Sequence, residues 1–180
     1  WSIVPTFAAL GLASAAAAAE PRPNILLVVV DDLRFDDFGA AGHPFALTPN
    51  IDRIAREGAQ FKNFFAVTPL CSPSRANIPT GLQTRHHGIL DNTDRSPRSH
   101  ALPTFARALH AAGYNTGFIG KWHMGGSSDA ARPGFDHWVS FRGQGTYQPT
   151  GQFLNIDGSK VPRTKYMTDE LTDHATQWLS

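Results

Sequence analysis

Short continuous apolar runs alternate along this chain with segments in which apolar residues recur at helical spacing. Residues 25–30 form an unbroken run of isoleucine, leucine and valine, which is typical of a strand buried on both faces of a parallel sheet. After a polar stretch, the sequence predicts a helix that opens at Thr48-Pro49-Asn50 and ends near Gly58. A run rich in strand-forming residues, 59–67, follows this helix.

The second half of the chain continues the alternation. Helical spacing over residues 103–112 predicts a second helix, with Gly113 as its C-terminal stop. Residues 114–119 then predict a second buried strand, and residues 171–179 predict an amphipathic helix. Because helices that connect buried strands pack on the faces of the sheet, the chain is expected to form one α/β sandwich domain.

The first 20 residues differ in composition from the rest. Apolar residues lead into an alanine tract at 15–19, a pattern typical of the core and cleavage site of a signal peptide. We expect residues 1–20 to be a leader and the protein to be periplasmic or secreted. An uncleaved membrane anchor is the alternative, although a span needs about 20 apolar residues. The start without methionine and the abrupt stop at Ser180 indicate truncation at both ends.

Composition narrows the possible classes of function. The chain has 180 residues, of which 41% are apolar and 17% charged, which is typical of a globular domain with one core. Its net charge of +1 includes no long block of one sign, so nucleic-acid binding and stable membrane contact gain no support. Cys71 is the only cysteine, so it forms no internal disulfide and is either a buried apolar residue or a chemical group.

Two carboxylates, Asp31 and Asp32, follow the first predicted strand. Ligands in open α/β sheets bind at the carboxyl ends of strands, and adjacent carboxylates repel one another unless a cation lies between them. Oxygen donors suit Ca²⁺ or Mg²⁺. The alternative is a helix cap or a solvated turn.

The segment around Cys71 carries a second set of chemical groups. Ser72 is a suitable N-cap and Pro73 suits the first turn, so Cys71 is expected just before a helix N-terminus, where free N–H groups attract an anion. Arg75 would offer a fork of donors to an oxyanion nearby. The alternative is a short capped helix with a small buried cysteine.

A cation and an imidazole follow the second predicted strand. In an extended backbone Lys121 and His123 point the same way, while Trp122 turns to the opposite side. These two side chains are then expected to share one pocket. A solvated lysine beside a structural histidine is the alternative.

Taken together, these motifs resemble the type I sulfatases of the alkaline-phosphatase superfamily. The resemblance extends from Pro23 to Leu179. It rests on Asp31-Asp32, Thr48-Pro49-Asn50-Ile51-Asp52, Cys71-Ser72-Pro73-Ser74-Arg75 with Thr80-Gly81, His87-Gly88, Ala112-Gly113-Tyr114, Gly120-Lys121-Trp122-His123 and Gly134-Phe135-Asp136. The resemblance implies an α/β/α sandwich with a mostly parallel central sheet, of which residues 22–180 are the N-terminal part.

The Cys-x-Pro-Ser-Arg signature of this family implies that Cys71 is converted to Cα-formylglycine by a formylglycine-generating or anaerobic sulfatase-maturating enzyme. The hydrated aldehyde would attack sulfur with one oxygen, and loss of the proton from the other would expel sulfate. By the same resemblance the cofactor is Ca²⁺, with Mg²⁺ as an alternative. The substrate would be a sulfated small molecule or glycan.

The resemblance also assigns roles to individual residues. Asp31, Asp32 and residue 71 would bind the metal. Arg75 would hold the formylglycine, Lys121 would bind the sulfate, and His123 would assist proton transfer. Gln144, which the resemblance aligns only loosely, would be a further contact to the sulfate.

Some features of the chain depart from the family pattern. The second pair of metal ligands and a further His and Lys of the sulfate pocket would follow Ser180, so the 180-residue chain alone is expected to bind metal weakly and to be inactive. Pro79 stands where the family has an aliphatic residue and is expected to shorten or kink the helix after Arg75.

Three other functions stay open. Phosphonate monoester and phosphodiester hydrolases share the cysteine signature, a noncatalytic relative would only bind sulfated glycans, and a cysteine hydrolase would use Cys71 as a thiolate. The segment 132–138 resembles bacterial carbohydrate sulfatases, which suggests a 6-sulfated N-acetylglucosamine. Four further polar residues are expected either to line the mouth of the pocket or to have loop and helix-end roles: His86, His87, Asp91 and Asn92.

Overall fold

A computed structural model describes residues 22–93, 97–124 and 128–180, which form helices and one sheet. The α-helices are α1 (Pro49–Glu57), α2 (Cys71–Thr80), α3 (Thr84–His87), α4 (Phe105–Ala111) and α5 (Met167–Leu179). The strands are β1 (Gly117–Ile119), β2 (His137–Ser140), β3 (Phe153–Ile156) and β4 (Ser159–Pro162). Two short 3₁₀-helices, Gly39–Ala41 and Pro97–His100, complete the elements. The predicted α/β class is confirmed.

The sheet has the order β1-β2-β3-β4. β1 pairs with β2 in parallel, Phe118 opposite Trp138, whereas β2–β3 and β3–β4 are antiparallel. The sheet in the described residues is therefore mixed, and the expectation of a mostly parallel sheet does not hold for it. The reason is local: Asp157 and Gly158, both at positive φ, close β3 and β4 into a tight hairpin, which can only run antiparallel.

Two apolar clusters hold the elements together. The first joins α2, the segment after β1, and β2, and its aromatic members include Trp122, Trp138 and Phe118. The rings of Phe118 and Trp138 stack with their centroids 4.7 Å apart. The second cluster packs Leu154 of β3 and Met167 of α5 against the other side of the sheet. Burial of such side chains contributes roughly 1.5–3 kcal/mol each, so these clusters fix the sheet and α2 relative to one another.

The predicted strand at residues 25–30 is the main correction to the expected fold. The segment forms no strand, and its side chains are 50–72% exposed. A strand needs a neighbour for its backbone hydrogen bonds, and no strand of the described residues lies beside this one. The run 59–67 likewise contains no strand, and Phe61, Phe64 and Phe65 are exposed.

Helix boundaries set by local signals agree with the sequence. α1 begins at Pro49, and its cap, Gly58, donates its N–H to the carbonyl of Ile54. α4 and α5 fall within two to four residues of the predicted ranges. No helix in the described residues is long and apolar enough to cross a membrane. The predicted signal peptide, residues 1–20, lies outside the described residues.

Candidate active site

The centre of the candidate site is a cluster of charged side chains drawn from three separate parts of the chain. Nζ of Lys121 lies 2.8 Å from Oδ2 of Asp31, and a guanidinium nitrogen of Arg75 lies 3.4 Å from the same oxygen. The hydrogen bond from Lys121, together with the charges of Lys121 and Arg75, holds the pKa of Asp31 below its usual range, although partial burial opposes this. Asp31 is therefore an ionised anchor between two cations.

Cys71 lies at this cluster because it begins α2. The ammonium of Lys121 is 3.7 Å from its Sγ. Cys71 is the first residue of the helix rather than the residue before it, and Leu70 occupies the N-cap position. Ser72 is therefore not the cap: its N–H donates to Oδ1 of Asn92 at 2.9 Å, and its hydroxyl donates to the carbonyl of His123. A side chain distant in sequence thus supplies the cap.

The end of β1 positions Lys121. Gly120 donates its N–H to the carbonyl of Val139, and its own carbonyl accepts from the hydroxyl of Ser140, each at 2.9 Å. The φ of Gly120 is 141°, a conformation that favours glycine and turns the chain away from the sheet. Trp122 then enters the core with 5% exposure, while the ammonium of Lys121 points to the charged cluster. The end of β1 and the buried Trp122 thus fix the position of Lys121.

Arg75 links the helix to this segment. Its guanidinium donates to the carbonyl of Lys121 as well as pairing with Asp31. Its Nε is buried and has no hydrogen-bond partner among the described residues. A buried, unpartnered donor of a charged group is costly, and it suits a position that an anionic ligand would complete.

His123 lies beside these charges in an unusual backbone conformation. Its φ is 57°, so the backbone at His123 is not extended, contrary to the expected alternation of side chains from Lys121 to His123. Burial, and then the positive charges of Lys121 and Arg75, lower the pKa of His123, while Asp31 opposes them. Its Nδ1 is buried without a hydrogen-bond partner among the described residues. His123 is therefore held as a neutral imidazole with one ring nitrogen unused.

Asp32 is the second predicted metal ligand. Its backbone is left-handed, with a φ of 57°, which turns the chain directly after Asp31. Its carboxylate has no hydrogen bond or ion pair with another described residue. No group of three or more His, Cys, Asp or Glu side chains in the described ranges is close enough together to hold a metal ion. Two carboxylates match Ca²⁺ in kind but supply only part of its roughly six to eight ligands.

Gln144, the loosely aligned sulfate contact, forms no hydrogen bond with this cluster in the described residues. It lies in an exposed turn between β2 and β3, and no hydrogen bond within the described residues joins it to Cys71 or Lys121. His87 has a structural role instead of lining a pocket. Its Nε2 lies 3.1 Å from the side-chain nitrogen of Asn77, and its Nδ1 accepts from the N–H of Ile89 at 3.0 Å.

The structure adds a buried cation that the sequence did not single out. Arg132 is 3% exposed, and its guanidinium lies 5.9 Å from the ring centre of Trp122 and 5.8 Å from that of Trp138. It donates to the carbonyls of Met124 and Ser128 at 3.1 and 2.9 Å. Burial lowers its pKa to about 10. Arg132 thereby holds the chain directly after the site, and no local sequence signal distinguishes it from a solvated arginine.

Comparison with known proteins agrees with this geometry. The sulfatase family model matches residues 23–180. The chain is 39% identical to N-acetylglucosamine-6-O-sulfatase of Bacteroides thetaiotaomicron, over 96% of the chain and 30% of that protein. It is 44% identical to arylsulfatase A of Bos taurus, over 68% of the chain and 25% of that protein.

A solved structure is also similar. A protein in complex with its substrate, D-glucosamine-2-N,6-O-disulfate, superimposes with a TM-score of 0.79 at 38% identity, over 88% of this chain and 31% of that one. The chain thus spans about a third or less of the length of these relatives. The family match includes the segments that carry the charged cluster. The chain therefore belongs to the sulfatase family.

Proposed function

We propose that the protein containing this chain hydrolyses sulfate esters of carbohydrates. The single observation that carries the proposal is the convergence of Cys71, Arg75, Lys121 and Asp31, with two cations and one carboxylate around one potential nucleophile. Cations are what a sulfate group and its transition state require. The names of the relatives, which are carbohydrate and aryl sulfatases, support the same reaction.

The nucleophile in this proposal is residue 71 after its oxidation to Cα-formylglycine by a maturation enzyme. The aldehyde adds water to form a geminal diol, and one diol oxygen attacks sulfur while the alcohol of the substrate leaves with a proton. Removal of the proton from the second diol oxygen re-forms the aldehyde and expels sulfate by cleavage of a carbon–oxygen bond. A serine sulfate ester has no comparable exit, which is the advantage of the aldehyde.

The neighbouring residues have separate tasks. Lys121, whose ammonium is 3.7 Å from Sγ of Cys71, binds a sulfate oxygen. The unpartnered Nε of Arg75 offers a further donor to an oxyanion at residue 71. His123, neutral because its pKa is lowered, accepts a proton from the diol through a free ring nitrogen.

A calcium ion is the proposed cofactor. Asp31 and Asp32 would hold it together with oxygen from residue 71, because both carboxylates lie at one turn and that of Asp32 is uncommitted. Bound there, Ca²⁺ would act as a Lewis acid and neutralise sulfate charge. Since these donors are too few for a full shell, the 180-residue chain alone is expected to bind Ca²⁺ weakly and to be inactive.

The substrate class follows from the relatives. The named activities include N-acetylglucosamine-6-O-sulfatase and N-acetylgalactosamine-6-sulfatase, and one solved relative holds a 6-O-sulfated glucosamine. The proposed substrate is therefore a 6-O-sulfated amino sugar. The alanine-rich leader supports export of the protein, and the Cys71 signature supports a sulfatase-maturating partner.

The test is sulfate release by the full-length protein, co-expressed with a maturation enzyme, from N-acetylglucosamine 6-sulfate and 4-nitrophenyl sulfate. We expect turnover of a sulfate ester and a loss of at least about 10³-fold in Cys71→Ala. Cys71→Ser is the matched control, because it keeps an oxygen nucleophile without the aldehyde. Turnover of phosphate diesters alone would favour the alternative hydrolase, and full activity in Cys71→Ala would refute the mechanism.

A further inference from the structure

A concave surface lies outside the Cys71 cluster. It is a cavity of about 330 Å³, in the size range of ligand pockets, roughly 300–1,000 Å³. The cavity is lined by residues after β2, by residues in and beside the β3–β4 hairpin, and by Asp129. Its lining includes the cations Arg142, Lys160 and Arg163, the amide of Gln152 and the ring of Phe153.

The sheet topology places this cavity next to the candidate active site. β1 and β2 are parallel, with Ile119 opposite Val139, so their carboxyl ends lie at the same edge of the sheet. Lys121 lies two residues after the end of β1, and continuing the register places it opposite Phe141, which lines the cavity directly before Arg142. Neighbouring strands are about 4.8 Å apart. A ligand held at Lys121 can therefore extend into the cavity across one strand.

The cavity carries positive charge that its own residues do not neutralise. Lys160 has no carboxylate partner among the described residues, and Arg142, which is largely exposed, has only the 3.8 Å contact with Asp129. Arg163, the third cation of the lining, is already neutralised, because it pairs with the buried Glu170 at 3.2 Å. Arg142 and Lys160 are thus available to an anionic ligand.

The cavity also has the apolar and polar surfaces that a sugar ring uses. Phe153 is 40% exposed and presents its ring at the wall, with the ammonium of Lys160 4.0 Å from the ring centre. The side-chain amide of Gln152 makes no hydrogen bond within the described residues and is only half-buried. An aromatic face beside free amide and ammonium donors matches the alternating apolar and hydroxyl surfaces of a charged sugar.

The wall of the cavity is held in place before any ligand binds. Arg163 is fully buried, and it donates to the carbonyls of Thr146 at 2.7 Å and Tyr147 at 2.9 Å in addition to its pairing with Glu170. These bonds fix the turn after Arg142 against the hairpin. A preformed wall lowers the entropic cost of binding.

We infer that this cavity binds a second, anionic sugar unit of an oligosaccharide whose sulfate ester lies at residue 71. The inference rests on the proposed function and adds a preference for oligosaccharides that are sulfated or carboxylated on the neighbouring unit. Arg142 and Lys160 would contact the anionic group, and Phe153 would support the ring.

The experiment uses the full-length enzyme with two substrates, a heparin-derived tetrasaccharide and N-acetylglucosamine 6-sulfate. For the double variant Arg142→Gln/Lys160→Gln we expect the ratio of kcat/KM for the tetrasaccharide to that for the monosaccharide to fall about tenfold. Arg53→Gln, an exposed arginine of α1 outside the cavity, is the matched control and should leave the ratio unchanged. An unchanged ratio in the double variant would overturn the inference.

Binding without turnover separates this inference from the proposed function. In a Cys71→Ala background, calorimetry with the tetrasaccharide should show an approximately tenfold weaker Kd when Arg142 and Lys160 are replaced. If the unmodified enzyme released sulfate from no ester while this loss of affinity persisted, the reaction would be wrong and the cavity assignment would stand. If Cys71→Ala bound the tetrasaccharide equally well with and without the substitutions at Arg142 and Lys160, the cavity assignment would be refuted even if the enzyme released sulfate.

Discussion

Two regions of this molecule differ sharply in how far their apolar side chains are buried. In the packed region, from α2 to α5, Trp138 and Val139 are 1% and 0% exposed. In the open region, residues 24–67, Leu47 and Phe64 are 92% and 85% exposed. Both regions are rich in apolar side chains, so composition does not explain the difference. The packed region contains the strands and helices that cover one another, whereas the described residues leave most large apolar side chains of the open region uncovered.

The candidate site lies where the two regions meet. Asp31 comes from the open region, while Cys71, Arg75 and Lys121 belong to the packed region. The two ion pairs of the half-exposed Asp31 carboxylate stabilise its position only weakly, compared with the aromatic core that packs beside Lys121. The packed side of the site is therefore held more firmly than the side that carries Asp31 and Asp32.

The largest expected effect tests the contrast in packing directly. Trp138→Ala should lower the free energy of unfolding by about 3–5 kcal/mol, because it empties a buried site. Phe64→Ala should change it by about 0.5 kcal/mol or less, since the ring is exposed. Urea denaturation of the 180-residue chain measures both. A cost for Phe64→Ala equal to that for Trp138→Ala would contradict the exposure of the open region.

The next effect concerns the cation that joins the two regions. Lys121→Met should lower kcat/KM of the full-length enzyme by about 10²-fold or more, because it removes the charge beside residue 71 and the partner of Asp31. Lys121→Arg keeps the charge with a different shape and should retain more activity. Steady-state kinetics on 4-nitrophenyl sulfate measure both. Equal kcat/KM for Lys121→Met and the unmodified enzyme would remove Lys121 from the site.

A smaller effect is a dependence of stability on pH. The pKa of His123 is lowered, so the folded state favours the neutral ring. The neutral ring therefore contributes fully to the free energy of unfolding above the ordinary pKa of 6.5, and this contribution is lost as pH falls through the lowered pKa of the folded state. His123→Gln should therefore reduce the fall in Tm between about pH 7 and about pH 5. Part of the fall should remain, because burial also lowers the pKa of His87.

The exposed His86 provides the control for this experiment. His86→Gln should leave the fall in Tm close to that of the unmodified chain. Asp31, whose pKa is also lowered, contributes stability above 3.8 that is lost only at lower pH, so it does not affect the window used for His123. A larger effect of His86→Gln than of His123→Gln would contradict the burial of His123.

The smallest expected effect concerns Gln144. Because Gln144 lies in an exposed turn and makes no hydrogen bond with Cys71 or Lys121 in the described residues, Gln144→Ala should change kcat/KM for 4-nitrophenyl sulfate by less than about threefold. A loss as large as that of Lys121→Met would show that the turn reaches the sulfate during turnover.

The sequence predicted the elements whose signals are local. Pro49 and Gly58 delimit α1, and the glycine after residue 112 marks the end of α4, because these residues act on the chain beside them. The run at residues 25–30 gave a clear strand signal, yet strand formation requires partners. Those partners are not among the described residues, so the same signal leaves an exposed segment.

The candidate site shows the same limit of prediction from local sequence signals. The structure brings together Asp31, Arg75 and Lys121 from three motifs, with Cys71 beside Lys121. The cap from Asn92 and the buried position of Arg132 arise from contacts between residues distant in sequence. Single-sequence patterns carry no signal for such contacts, so both residues became apparent only in three dimensions.

The central claim is that Cys71 acts as an oxidised, sulfur-free nucleophile. Mass spectrometry of the peptide that contains residue 71, from full-length protein assayed for sulfate release, tests it most directly. We expect an aldehyde or its hydrate at position 71 in the active protein, and an inactive fraction that retains the thiol. Sulfate release by protein in which every residue 71 is an unmodified cysteine would contradict it.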